Sequence, residues 1–156
     1  MLLLLFQVGG DRYALDARRV VEVIPLLQLQ RIPRAPKGVA GLFNYRGRPV
    51  PAVDLCELML GRPAAERLST RIVVVEFPDA RGTARQIGLI AEHATDLVRK
   101  ESSDFPDPGA GAGNAPFLGA VELDRDGVIQ RIHAENLIPE PIREALFPEL
   151  QPHESR

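Results

Sequence analysis

GLFNYRGRPVPAVDL, residues 41–55, reads as two strand-like runs that meet at a tight turn. Leu42, Phe43, Val50, Ala52 and Val53 are core material. Pro49 and Pro51 stiffen the second run and remove two backbone donors, so its outer rim cannot be an interior ladder position throughout. Gly47 admits φ > 0 and lets the turn close without a Cβ clash. Asn44 can bond nearby backbone and fix the turn. Arg46 then projects a planar, permanently charged fork suited to carboxylates or carbonyls. Either the hairpin tip faces a partner or Arg46 ties the turn to its own domain, and the two roles are compatible.

Outward from the hairpin, many short apolar runs broken by Gly, Pro and Asp predict a mostly β chain. Leu2–Val8 reads as a strand buried on both faces. It does not read as a signal peptide, since it has no basic start and no small-residue cleavage site follows, and it is far short of a bilayer span. Strands follow near Val20–Ile24, at Val39–Tyr45 and Arg48–Asp54, with a short helical stretch LCELML behind them. TRIVVVEF (Thr70–Phe77) is the clearest core strand. RQIGLIAE, TDLVRK, FLGAVEL and GVIQRI complete the set, and DRDG marks a tight turn between the last two.

The chain also echoes itself. YALDARRVVEVI (13–24) lies over IGLIAEHATDLV (87–98) without a gap, matching Ala14 to Gly88, Leu15 to Leu89 and Glu22 to Asp96. GLFNYRGRPVPAVDLCEL (41–58) echoes GAVELDRDGVIQRIHAENL (119–137), each a Gly, strand, polar turn, strand and short helix. The pattern predicts two five-stranded β-barrels. The first unit would cover about 10–65 and the second about 70–138, with the N-terminal strand shared. The stretch 101–116, ESSDFPDPGAGAGNAP, reads as a long loop, and 139–156 as a short helix, IREALF, and a tail.

At 156 residues, 45% hydrophobic and 26% charged, the chain can bury a globular core. Its formal charge of −2 gives no global field toward nucleic acid or anionic lipid. One cysteine, Cys56, excludes a disulfide framework, suits a reducing compartment and reads as a buried apolar side chain. No catalytic constellation is present. His93, His133 and His153 are too widely spaced to be metal ligands as a set, and there is no nucleophile elbow or P-loop. GAGAG (109–113) follows no strand and opens no helix. Five basic residues (Arg31, Arg34, Lys37, Arg46, Arg48) and no acidic one lie between Arg31 and Val53. That is the one feature favouring the alternative, a small-barrel nucleic-acid binder, but stacking aromatics are few.

GLFNYRGRPVPAVDL resembles the strongest run of the CheW-like coupling proteins of bacterial chemosensory arrays: Gly, aliphatics, N-L-R-G, aliphatics, P, aliphatics, D-L. Upstream, FQVGGDRYALDARRVVEVIPLLQLQRIPRAPKGVAG resembles the family's opening. Downstream, RIVVVEF, IGLIAEHATDLV and FLGAVELDRDGVIQRIHAENL keep its later landmarks in order over residues 2–138. The resemblance implies a double SH3-like β-barrel, no enzymatic activity, no cofactor and no metal. It also implies a cytoplasmic adaptor that binds a chemoreceptor's cytoplasmic tip and the regulatory domain of a CheA-type histidine kinase, with neither nucleic acid nor membrane insertion. By position, the receptor-binding residues would be Val20, Asn44, Arg46, Gly47, Ile72, Gly88 and Ala94, in a groove between the barrels. Kinase contacts would lie at Glu22 and Gly41. Tyr45, Arg48, Glu92, Gln130 and Arg131 depart from the family pattern, which suits an accessory, Wsp-type coupling protein.

Overall fold

A computed structural model describes residues 1–79, 81–99 and 117–137, and the sequence expectations for 101–116 and 139–156 fall outside them. The strands are β1 (Leu2–Val8), β2 (Asp11–Asp16), β3 (Val20–Pro25), β4 (Val39–Tyr45) and β5 (Arg48–Asp54). After helix α1 (Leu55–Leu60) come β6 (Arg71–Pro78), β7 (Ala84–Arg99), β8 (Leu118–Asp124) and β9 (Gly127–Ile132).

β1 and β6 are nearly continuous apolar runs because both of their faces are buried. Leu4, Phe6 and Val8 of β1 and Val73, Val75 and Phe77 of β6 share the largest core cluster, with Leu15, Ile87, Leu89 and Ala94. The opposite faces serve separate interiors. Ile72 and Val74 join Phe43, Tyr45, Val50, Ala52 and Ile90, whereas Leu3 joins Ala14 and Ile129. The fold is therefore two SH3-like barrels pressed together, with the main core at their junction.

The sequence echo reappears in the ladder register. Leu5 of β1 stands opposite Ala14 of β2 and Asp96 of β7. Val74 of β6 stands opposite Gly88 of β7 and Glu22 of β3. These are the pairs the echo superimposes, Ala14 on Gly88 and Glu22 on Asp96. Parallel pairs extend the correspondence, β2 with β9 and β5 with β7, and the hairpins β8–β9 and β4–β5 complete it.

Two expectations are corrected. Strand pairing cuts across the sequential halves 10–65 and 70–138. One barrel holds β1, β2, β8, β9 and the second half of β7, and the other holds β3, β4, β5, β6 and the first half of β7. RQIGLIAE and the TDLVR of TDLVRK are not separate strands but parts of β7, which crosses between the barrels. The ladder shifts register at the crossing, and His93 there takes φ +51°. Glu92, at the same point, accepts from Gly9 N (3.2 Å) and Ala65 N (3.0 Å), fastening the β1–β2 turn and the linker after α1 to β7. Burial raises the Glu92 carboxyl's pKa, but the Ala65 and Gly9 N–H groups, the Arg62 charge and a hydrogen bond with the Cys56 thiol together leave it below its ordinary value.

α1 starts where its sequence says it should. Asp54 Oδ1 accepts from Cys56 N (2.9 Å) and Glu57 N (3.2 Å), and Gly61 ends the helix at φ +77°. Arg131, an unusual residue for an aliphatic strand, extends Nη2 to 3.4 Å from Asp16 Oδ2 and ties β9 to the end of β2. Arg18 holds the same carboxylate, with Nη2 at 2.7 Å, and hydrogen bonding from its side chain keeps Asp16 below its ordinary pKa.

Candidate functional site

The β4–β5 hairpin closes through Arg46 and Gly47, at φ +54° and +84°. Two consecutive positive φ values give the mirror-image turn that matches strand twist. Asn44 Oδ1 accepts from Gly47 N at 2.8 Å and pins the turn. β5 meets its second neighbour, β7, only from Ala52 onward, past both prolines, which is where a strand short of two donors can do so.

Tyr45 turns inward from the tip and is 5% exposed. Its ring lies edge-on to Phe43, with centroids 6.3 Å apart. Its hydroxyl donates to Glu22 Oε1 at 2.6 Å, bridging β4 to β3. Hydrogen bonding to that carboxylate holds the Tyr45 phenol above its ordinary pKa. Arg46 folds back over the Tyr45 ring, its guanidinium carbon 5.1 Å from the centroid, and donates from Nη2 to the same Oε1 at 3.0 Å. Glu22, Tyr45 and Arg46 thus form one cluster around a single carboxylate oxygen. The Arg46 and Glu22 side chains are 71% and 41% exposed, so the cluster is open to a partner.

The structure sorts the expected receptor residues into two groups. Asn44, Arg46 and Gly47 are exposed together at the tip, and Val20 is half-buried at the start of β3. Ile72, Gly88 and Ala94 are buried. Ile72 points into the β3–β7 barrel beside Phe43. A Cβ on Gly88 would stand 2.6 Å from Phe43 Cε1 and 2.7 Å from Ile72 Cγ2, so this glycine makes room for core side chains. Ala94 is part of the junction core. Of the two expected kinase residues, Glu22 belongs to the tip cluster. Gly41 is buried at φ +150°, and a Cβ there would run into the Gln30 carbonyl of the strap preceding β4. Gln30 and Leu42 exchange backbone hydrogen bonds of 2.9 and 2.8 Å across that contact.

Sequence reasoning missed two parts of the site. The Tyr45–Glu22 bond joins residues 23 apart, and nothing local announces it. Val21 is 41% exposed because β3 slips register between Val20 and Glu22 and turns an apolar side chain outward. Val20 packs half-buried against the junction core and Val21 is exposed, both on the strand that carries Glu22. Neither tyrosine is a free platform for base stacking, since Tyr45 is buried and Tyr13 is stacked on Phe6 at 6.0 Å.

Comparison with known proteins agrees with this fold. Residues 2–141 match the family described as CheW-like domain. The chain is 26% identical over 145 residues to the chemotaxis protein CheW of Rhizobium meliloti, covering 92% of this chain and 90% of that one. It is 28% identical over 119 residues to the protein FrzA of Myxococcus xanthus, covering 75% and 71%. The crystal structure of the scaffolding protein TtCheW from Thermoanaerobacter tengcongensis superposes with a TM-score of 0.77 at 22% identity, over 88% of this chain and 87% of that one.

Proposed function

Since the chain belongs to the CheW-like domain family, we propose that it is a non-enzymatic scaffold coupling the cytoplasmic tip of a chemoreceptor to a CheA-type histidine kinase in a chemosensory array. The observation that carries this reading is the exposed cluster at the hairpin tip. By resemblance Arg46 serves the receptor and Glu22 the kinase, and in this chain the two are bonded at 3.0 Å.

The chemistry is that of recognition. Arg46 offers donors and is bonded to Glu22 of β3, the strand that also carries Val20 and Val21, so a receptor helix can lay its apolar stripe on β3 and set a carboxylate or carbonyl on the guanidinium. A receptor group that draws Arg46 away leaves Glu22 to Tyr45 alone. A kinase group that takes Glu22 frees Arg46 in turn. Each partner therefore changes what the other meets through one shared oxygen. The kinase's regulatory domain is the second partner, and the scaffold works in the cytoplasm beneath membrane-bound receptors. Among the described residues no helix is long and apolar enough to cross a membrane.

Pull-down with separate receptor-tip and kinase-regulatory fragments tests the reading. Both are retained at micromolar protein, and Arg46→Glu loses the receptor fragment while keeping its thermal transition. Retention of neither fragment ends the scaffold reading. A large fall in stability on Arg46→Glu would show instead that Arg46 serves only its own fold.

A further inference from the structure

On the barrel formed by β3–β7, the strap between β3 and β4 stands clear of the linker that follows α1. Two adjoining hollows of about 440 and 330 Å³ lie between them and meet at Ala40, Asp54 and Pro63. The floor of the larger is apolar, with Leu26, Leu29, Ala64 and Ile90, and Leu27 at its rim is 41% exposed. The strap supplies one wall and its cations, Arg31 in the first hollow, Lys37 in the second and exposed Arg34 between them in sequence. None of the three has an ion-pair partner among the described residues. The facing wall carries Glu66 and Glu57.

Cations along one wall and carboxylates along the other, over an apolar floor, give the trough a charge pattern that a partner can complement. We propose that this trough is a docking surface, separate from the hairpin tip, for an amphipathic segment of a partner protein. The segment has an apolar stripe and is acidic along the edge that meets the strap. Its apolar side chains fill the two hollows, its carboxylates pair with Arg31 and Lys37, and its opposite edge carries the cations that suit Glu57 and Glu66. The acidic facing wall argues against a nucleic-acid strand, whose phosphates it would repel, and among the described residues no aromatic side chain lines the trough to stack a base. The strap is fixed in place by the Gln30–Leu42 hydrogen bonds and by Gly41, whose missing side chain lets the two segments touch.

The test is fluorescence anisotropy with the full chain and a labelled helical probe peptide bearing a leucine stripe, a glutamate edge and a lysine edge. The probe binds at about 100 µM or below. Arg31→Glu with Lys37→Glu, both exposed positions, weakens it about tenfold. Replacing the probe's glutamates by glutamine weakens it similarly, and Arg46→Glu leaves binding unchanged. Three results would overturn the proposal. They are no binding, binding indifferent to the double substitution or to the glutamates, and tighter binding of a single-stranded oligonucleotide through the same two residues.

Discussion

Gly88→Ala separates a core glycine from a contact glycine. The added methyl would sit 2.6 and 2.8 Å from two Phe43 ring carbons and 2.7 Å from Ile72 Cγ2. Ordinary contact begins near 3.4 Å, and both neighbours are buried, at 4% and 0% exposure, so neither can swing into solvent. Overpacking of this kind costs about 1–3 kcal/mol. The backbone at Gly88 is not in the left-handed region, so alanine recovers about 0.5–1 kcal/mol of strand preference. The net expectation is a loss centred near about 1 kcal/mol, or a midpoint lower by about 2–5 °C for a chain of this size. Thermal and urea unfolding followed by circular dichroism read the loss, and Phe43→Leu in the same chain should return part of it. Receptor-fragment binding, measured well below the midpoint, should stay within about twofold of the parent chain. Unchanged stability with lost receptor binding would refute the reasoning and restore Gly88 to the contact surface.

Other expectations follow from single contacts. Tyr45→Phe removes the 2.6 Å bond to Glu22 and should cost about 1 kcal/mol in urea unfolding, with weaker binding of both partner fragments; full binding would contradict the shared-oxygen arrangement. Gly41→Ala should displace the strap and cost about 1–3 kcal/mol, visible as proteolysis between β3 and β4 before the rest of the chain is cut. Asp16 and Glu92 both have carboxyls held below their ordinary values in the folded chain. Their stabilisation is therefore fully present above the unfolded values near pH 4 and is lost as pH falls through the lower folded values. Glu92→Gln should be about 2 kcal/mol less stable at pH 7 and should lose less stability between pH 5 and 3 than the parent chain; an equally steep acid profile would show that Glu92 is not part of the titration.

Much of the fold was legible because two strands face two cores at once. The runs LLLLF and IVVV need apolar residues on both sides, and that need shows in one dimension. The echo was legible for a related reason, since Ala14 and Gly88, and Glu22 and Asp96, occupy corresponding ladder positions. The exchange of strands between the barrels was not legible. Both halves keep the same order of elements, and local residue choice does not record which β7 half pairs with which neighbour. The bulge at Glu92 and His93 looked like a break because the alternation lapses there, whereas the strand continues into the other barrel. At the site, Asn44, Arg46 and Gly47 declared themselves through turn chemistry. Ile72, Gly88 and Ala94 were placed on a groove by resemblance alone, and the packing shows that they are buried. Val21 was hidden because a slipped register reverses the side that an apolar residue faces.

The central claim is that one surface cluster serves two partners. Isothermal titration of the chain with the receptor-tip fragment, in the absence and presence of saturating kinase-regulatory fragment, tests it most directly. The account predicts that both fragments bind, that the receptor affinity shifts when the kinase is present, and that Tyr45→Phe shrinks the shift. Failure of either fragment to bind, or receptor affinity identical with and without the kinase, would contradict it.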